Sequence, residues 1–236
     1  MTKNIKQVEV TETSIIYNLP DIKMLKDGLI SNLKWPEDKS YLFFNLSAKD
    51  TRTKQPIKTI VSTDKYSCRL NYLSPKNRIH SFRAPEPLRT LKLQPFKSLE
   101  EIKKMTIWSH GKYFLARYKQ YLSPNHAAET KKYLTNLKKV KSVAIIYKNK
   151  CAGMVSLMKI VHATSLPKPL HWVTWIWIDN KLPEDARRYA HSLVRSWLIK
   201  NSSKYIGASV NAVNIRSQKW FLKMGFRPVR VFFEKM

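Results

Sequence analysis

The sequence predicts a mixed fold of the α+β or α/β class, a central sheet flanked by helices, behind a small β-rich extension. Three observations predict it. From residue 88 onward, runs with the period of two alternate with runs at helical spacing. Two helix starts carry their own signals, Ser98-Leu-Glu-Glu101 and Pro183-Glu-Asp185. Gly225 stops an amphipathic segment that opens at Asn214.

Residues 1–87 form the extension, and 88–236 the main domain. In the extension, Asn18-Leu-Pro-Asp21 opens a helix candidate over 22–33. Residues 40–46, 56–62 and 66–73 alternate as strands between polar, turn-rich stretches, which suggests a small antiparallel sheet. The run Arg83-Ala-Pro-Glu-Pro87 marks the boundary.

In the main domain, residues 89–95 read as a strand. The capping box at Ser98 starts a helix that runs to about Trp108. A second helical region covers about 113–138, broken near Ser123-Pro-Asn125. Strands follow at 142–148 and 151–161, joined by a turn at Asn149-Lys150, and a third at 171–179. A helix opens at Pro183 and runs to about Lys200, its first turn acidic as the helix dipole favours. A strand at 204–211, a helix at about 215–224 and a strand at 227–233 complete the chain.

Composition narrows the function classes. The chain has 236 residues, 43% of them apolar, enough for a packed core. No apolar run is long enough to span a membrane, and the first residues do not resemble a secretion signal. A cytoplasmic setting is expected, nucleoid-associated or in a host cytoplasm if the source is viral. Cys68 and Cys151 stand far apart, and the six histidines are scattered, so no metal site is expected.

Charge is the strongest compositional signal. Lys and Arg number 44 against 16 Asp and Glu, a formal net of +28. Self-repulsion on that scale disfavours a compact chain, and a polyanion such as DNA or RNA relieves it. Residues 88–236 alone carry 29 basic and 7 acidic side chains, so the main domain is itself the basic part. Lys131, Lys132, Lys138, Lys139 and Lys141 form its densest cluster and are the candidate nucleic-acid contacts. Basic and aromatic residues also interleave at Lys112-Tyr-Phe114, Arg117-Tyr118 and Lys131-Lys-Tyr133.

The element order β-α-α-β-β-β-α-β-α-β resembles the GNAT acyltransferase superfamily. The segment Asn214-Ile-Arg-Ser217-Gln-Lys-Trp-Phe221-Leu-Lys-Met-Gly225-Phe226 meets each spacing of that family's C-terminal motif. The resemblance covers about 149 residues and implies acetyl-CoA, or CoA with another acyl group, as cofactor. It implies donor contacts at Ile176, Trp177 and Ile178 on the third strand, and at Asn214, Ser217 and Phe221 along the pantetheine arm. It also implies that strands 171–179 and 204–211 part at their C-terminal ends.

Two features depart from the family. Its usual general acid is a tyrosine where this chain has Phe221, and a phenyl ring cannot protonate a thiolate. Its glycine-rich pyrophosphate loop is replaced by Arg187-Arg-Tyr-Ala190-His-Ser192, leaving Arg187, Arg188, Ala190 and Ser192 as the matching positions. Leu182-Pro-Glu-Asp-Ala186 before a long helix is similar to the phage Mom group, whose members modify adenine in DNA.

Trp172, Trp175 and Trp177 share one strand, with Trp175 and Trp177 on one face. They suit either a hydrophobic core or a stacking platform. His171 and Asp179 bracket that strand and are the candidate catalytic residues, Asp179 as base. Three readings stay open: an acyltransferase acting on nucleic acid or a nucleic-acid-bound acceptor; a GNAT-fold nucleic-acid-binding protein without catalysis; and an N-acetyltransferase of proteins or small molecules.

Overall fold

The computed structural model describes residues 6–10, 14–25, 35, 37–39, 41–58, 66–79, 88–116, 126–160, 166–168 and 170–235. Ten strands and five α-helices lie among them: β1 Lys6–Val10, β2 Ser14–Asn18, β3 Tyr41–Asn45, α1 Ala48–Thr51, β4 Tyr66–Pro75, β5 Leu91–Pro95, α2 Leu99–Ser109, α3 His126–Thr135, β6 Val140–Tyr147, β7 Lys150–Ile160, β8 Leu170–Ile178, α4 Glu184–Asn201, β9 Tyr205–Asn211, α5 Ile215–Lys223 and β10 Arg227–Lys235. From β5 onward this is the order that the GNAT resemblance implies. The fold is mixed, strands and helices together, as the sequence predicts. Contacts divide the chain into two units: residues 1–73, 118–126 and 209–236 in the first, 74–117 and 127–208 in the second.

The first unit corrects the expected small antiparallel sheet. The C-terminal strand β10 lies between β3 and β4 and pairs antiparallel with both. On the far side of β3, β2 runs parallel, and β1 closes antiparallel on β2. So the extension is completed by the end of the chain, and the contacts group residues 1–73 with it, whereas the sequence sets its boundary at 87/88. β10 is rich in residues that suit a strand buried on both faces: Val231, Phe232 and Phe233 are all buried. Phe233 meets Phe44 edge to face, with centroids 5.8 Å apart. β1 and β2 escape the sequence reading, and the helix expected at 22–33 is a single 3-10 turn, Ile22–Met24, within the described residues. Residues 56–58 are not strand, and the rest of the strand expected at 56–62 lies outside the described residues.

A polar hub holds the first unit's C-terminal helix. Gln218, wholly buried on α5, accepts from the Tyr72 hydroxyl at 3.0 Å and from the Ile57 amide at 2.9 Å. Its own amide donates to the Ala212 carbonyl at 2.7 Å. Asn214 caps α5 by accepting from the Ser217 amide at 3.0 Å. Gly225 ends it with φ of 92°, a left-handed geometry that a Cβ disfavours.

In the second unit, β5, β6, β7 and β8 pair antiparallel in sequence order. The hairpin between β6 and β7 turns on two residues, Lys148 and Asn149, both at positive φ. α2 and the segments after it cover the sheet face that carries Met154 and Trp177. Their cluster takes in Ile102, Leu137, Met105, Tyr113, Tyr133 and Trp175. α4 buries a stripe at four-residue spacing, Ala186, Ala190, Val194 and Leu198, and packs against β5, β7 and β8. Between α2 and β6 the sequence expects one interrupted helical region; the structure has a π-helical stretch, His110–Leu115, then α3 and a 3-10 turn, Leu137–Lys139. The break expected near 123–125 lies outside the described residues.

Replacing Gln218 by Leu should strand the Tyr72 hydroxyl and the Ile57 amide without partners. We expect a loss of roughly 1–3 kcal/mol per buried group in urea unfolding. The double change with Tyr72→Phe should recover part of it. A Gln218→Leu protein as stable as the parent would show that the hub is not needed.

Candidate functional site

The candidate site grows from one irregularity in β8. Ser156 of β7 faces Trp175, and the next residue, Leu157, faces Val173. Thr174 is therefore an extra residue, a β-bulge. A bulge bends its strand, increases the local twist and re-aims the side chains beside it. On the other edge of β8, the parallel ladder to β9 covers four pairs, from Leu170 with Tyr205 to Val173 with Ala208. Ile176, Trp177 and Ile178 keep antiparallel partners in β7, at Val155, Met154 and Gly153.

The start of the β8–β9 ladder is tightly packed. Gly207 lies opposite Trp172, and a Cβ there would come within 2.3 Å of the indole. Trp172 thus fills the space that glycine leaves, which accounts for one of the three tryptophans as a packing residue.

The other two point into an aromatic cluster beneath α2. Trp175 donates from Nε1 to the Ser109 hydroxyl at 2.9 Å and stacks on Tyr133. Trp177, 8% exposed, stacks on Tyr113 at 5.1 Å between centroids and meets Trp108 at 5.3 Å. Trp177 Nε1, Thr174 Oγ1, Tyr113 Oη and Tyr133 Oη are buried without a hydrogen bond of good geometry among the described residues. Burial raises the Tyr133 phenol, and the nearby hydroxyls of Ser156, Thr174 and Thr106 lower it in part. Burial also raises Tyr113, and the neighbouring Asp179 carboxylate adds to that. The Tyr113–Asp179 pair was not visible in the sequence, where the two stand 66 positions apart.

Asp179 closes β8 in a turn. Its carboxylate accepts from the Lys181 amide at 2.9 Å, and its own amide donates to the Ala152 carbonyl at 2.8 Å. His171 lies at the other end of the strand. Eight residues at about 3.3 Å each put the two roughly 26 Å apart, so they do not serve one reaction. The Nδ1 atom of His171 accepts from the Ser203 amide at 3.0 Å, leaving Nε2 to carry the proton in the neutral ring. Burial lowers its pKa, and Lys141 and Lys159 lower it further.

The start of α4 is where the resemblance expects a diphosphate. Pro183 is the N-cap residue and provides no side-chain cap. The Arg187 amide already donates to the Pro183 carbonyl at 2.8 Å. Free helix amides therefore come from residues 184–186, one turn before Arg187. Arg188 pairs with Glu184 on the surface, and Arg187 reaches the Asn180 carbonyl at 3.3 Å. Ala190 and Ser192 face inward, both buried, so they offer nothing to a phosphate. Phe221 is buried in the first unit, between the rings of Tyr72, Trp220 and Phe226. Ser217 is occupied in the cap of α5. Lys131, Lys132, Lys138, Lys139 and Lys141 are all exposed.

Among the described residues no cluster of His, Cys, Asp and Glu is fit to hold a metal, and no helix is long and apolar enough to cross a membrane. A groove of about 420 Å³ opens on the second unit, lined by Glu101, Lys104, Met105, Trp108 and Cys151. Sequence reasoning missed it, because its residues come from α2 and from the β6–β7 hairpin.

Acidification should cost this fold stability through His171. Its folded pKa lies below the ordinary imidazole value near 6.5, so the unfolded chain binds the proton more readily. The contribution is complete above that value and is lost as pH falls through the folded pKa. His171→Gln should shrink the drop in urea midpoint between pH 7.5 and pH 5; His110, also lowered by burial, keeps part of it. An unchanged drop would rule His171 out as a contributor.

No family model and no curated protein matches the sequence. Solved structures do. A Drosophila protein of structural-genomics origin is 12% identical, with a TM-score of 0.50 over 98% of this chain and 73% of that one. A tandem GNAT protein of the clavulanic acid biosynthesis pathway is 8% identical, with a TM-score of 0.47 over 84% of this chain and 65% of its own. A GNAT N-acetyltransferase from Kribbella flavida is 9% identical at 0.41, over 99% and 90%. At such identities the likeness is one of fold.

Proposed function

We propose that this protein is an acyltransferase that takes its acyl group from acetyl-CoA or a related thioester and acts on nucleic acid or on an acceptor bound to it. The observation that carries the first half is the bulge at Thr174 in β8. A bulge bends the strand beyond it, and backbone groups of the segment Ile176–Ile178 would give the amides of a pantetheine arm their hydrogen-bond partners. The bound thioester supplies the activated acyl group. Asp179, at the end of that segment, is suited to accept a proton from the acceptor, and Tyr113 stands beside it.

The residues at α4 fit the diphosphate end less well. Glu184 and Asp185 oppose an anion at the helix start, so binding there needs Arg187 and Arg188 to leave their present partners. Calorimetry with acetyl-CoA tests this directly. Arg187→Ala/Arg188→Ala should weaken binding by about 1.5–3 kcal/mol per lost charge-assisted contact. No heat from the parent would remove the acyltransferase reading.

The second half rests on charge. All five clustered lysines are exposed, and none has an ion pair among the described residues. A phosphate backbone is the complementary partner. Gel-shift affinities for DNA and RNA should fall with log salt at about 0.7–0.9 per phosphate neutralised. Glutamine at all five lysines should flatten that slope and leave the melting temperature unchanged. Tighter binding to duplex DNA would suit a DNA base as acceptor, as in the Mom group; a clear preference for RNA would remove that form of the proposal.

One observation favours a second reading, a GNAT-fold nucleic-acid-binding protein without catalysis. Phe221 is a core residue and offers no proton to a departing thiolate. Salt-dependent binding to nucleic acid without any affinity for acetyl-CoA would establish it.

A further inference from the structure

We propose that the groove beside Trp108 holds one unpaired base of a single-stranded nucleic acid, stacked on the indole and flanked by lysines that meet the phosphates. This names a base-contacting site within the nucleic-acid reading above and rests on that reading.

Trp108 is an unusual surface residue. It is 44% exposed, although α2 has a buried side on which a large apolar ring gains more. Its exposure comes with a fixed orientation. Trp177 and Tyr113 brace it at 5.3 and 5.8 Å between centroids, and the Lys112 ammonium stands over its ring at 4.6 Å. A braced aromatic surface loses little side-chain freedom on binding, which is what a stacking platform requires. The groove it lines is large enough for a planar base, and Met105 and Cys151 make its wall apolar.

The surroundings supply phosphate contacts, and the indole selects for a single strand. Lys104 lines the groove, and Lys112, Lys148 and Lys150 are exposed on the neighbouring π-helical stretch and hairpin. None of the four has an ion pair among the described residues. In a duplex the base faces are already stacked, so only a single strand can offer one to Trp108. Glu101 adds selectivity. One of its oxygens accepts from the Lys97 amide at 2.8 Å; the other is left to accept from an exocyclic amino group, as on cytosine or adenine. Thymine and uracil have no such donor.

The chain carries its own footprinting probe. Cys68 is completely buried, whereas Cys151 lines the groove. Alkylation of the folded protein therefore reports Cys151. Burial raises its thiol, so the reaction is best followed at mildly alkaline pH.

The experiment measures fluorescence anisotropy with labelled ten-nucleotide dC and dT strands and a duplex, together with maleimide labelling of Cys151. Parent, Trp108→Ala, Trp108→Phe and Glu101→Gln are compared. We expect dC to bind tighter than dT, and dC to slow labelling of Cys151. Trp108→Ala should weaken the single strands by about 5- to 100-fold, leave duplex binding within twofold, and abolish the protection. Trp108→Phe, which keeps a ring and the packing against Trp177, should recover most of the loss. Glu101→Gln should narrow the gap between dC and dT. If the parent binds single strands but Trp108→Ala does not change them, or weakens duplex equally, this inference falls and the broader reading stands. If the parent binds no nucleic acid at low salt, both fall.

Discussion

The second unit depends on a single added residue. Without Thr174, β8 would continue in phase from Trp172, its alternation would run unbroken, and its parallel ladder with β9 would meet no bend. With it, Trp175 and Trp177, which share a face by the strand period, turn into the cluster beneath α2 out of phase with Trp172. The same insertion gathers hydroxyls. Thr174 comes near Tyr133, Ser156 and Thr106 on the aromatic side of the sheet, and Ser156 lies 2.8 Å from Ser142. Buried hydroxyls in an aromatic core destabilise unless they find partners. Leaving Thr174 Oγ1 and Trp177 Nε1 without them is a local cost, and such costs gather where a strand is shaped for something other than stability.

The first unit shows the opposite economy. Around Phe221, polar groups are few and satisfied. Tyr72 places its ring against Phe221 with centroids 6.0 Å apart, and gives its hydroxyl to Gln218. Burial pushes that phenol well above its ordinary value. So the nearest tyrosine hydroxyl among Phe221's ring neighbours is committed to a structural bond and is a poor acid at neutral pH. Any proton given to a departing group has to come from water or from another side chain, which makes the proton path the chemical question that separates catalyst from binding protein.

Much of this was legible in the sequence, for identifiable reasons. The alternation from residue 88 onward, the cap at Ser98 and the Asn214–Gly225 segment each rest on local rules, and each is found: Ser98 accepts from the Glu101 amide, Asn214 from Ser217, and Gly225 takes a left-handed φ. What was not legible is non-local. Nothing in residues 1–87 announces that β10 will lie between β3 and β4, because strand pairing across more than 150 positions leaves no local mark. The bulge is hidden too. TWIW reads as a regular strand, and only the partner register reveals the extra residue. His171 and Asp179 were linked by sharing a strand, yet a strand is extended, so residues at its two ends are far apart.

The proposed nucleic-acid partner rests on charge. Lysines 141 and 159 stand near His171 and lower its pKa, so this end of the sheet is held at positive potential without an acidic partner for either lysine among the described residues. A protein under selection for stability alone would place carboxylates there, because like charges at close range cost free energy in every folded molecule. The four ion pairs among the described residues lie elsewhere, and Arg188 with Glu184 sits on the surface of α4. Repulsion left uncompensated at the β8 start, and again around Trp108, is relieved when a polyanion displaces its own counterions onto the solvent. The two basic regions lie at opposite ends of β6, about 25 Å apart at ~3.3 Å per residue, a span that several nucleotides of an extended strand would bridge.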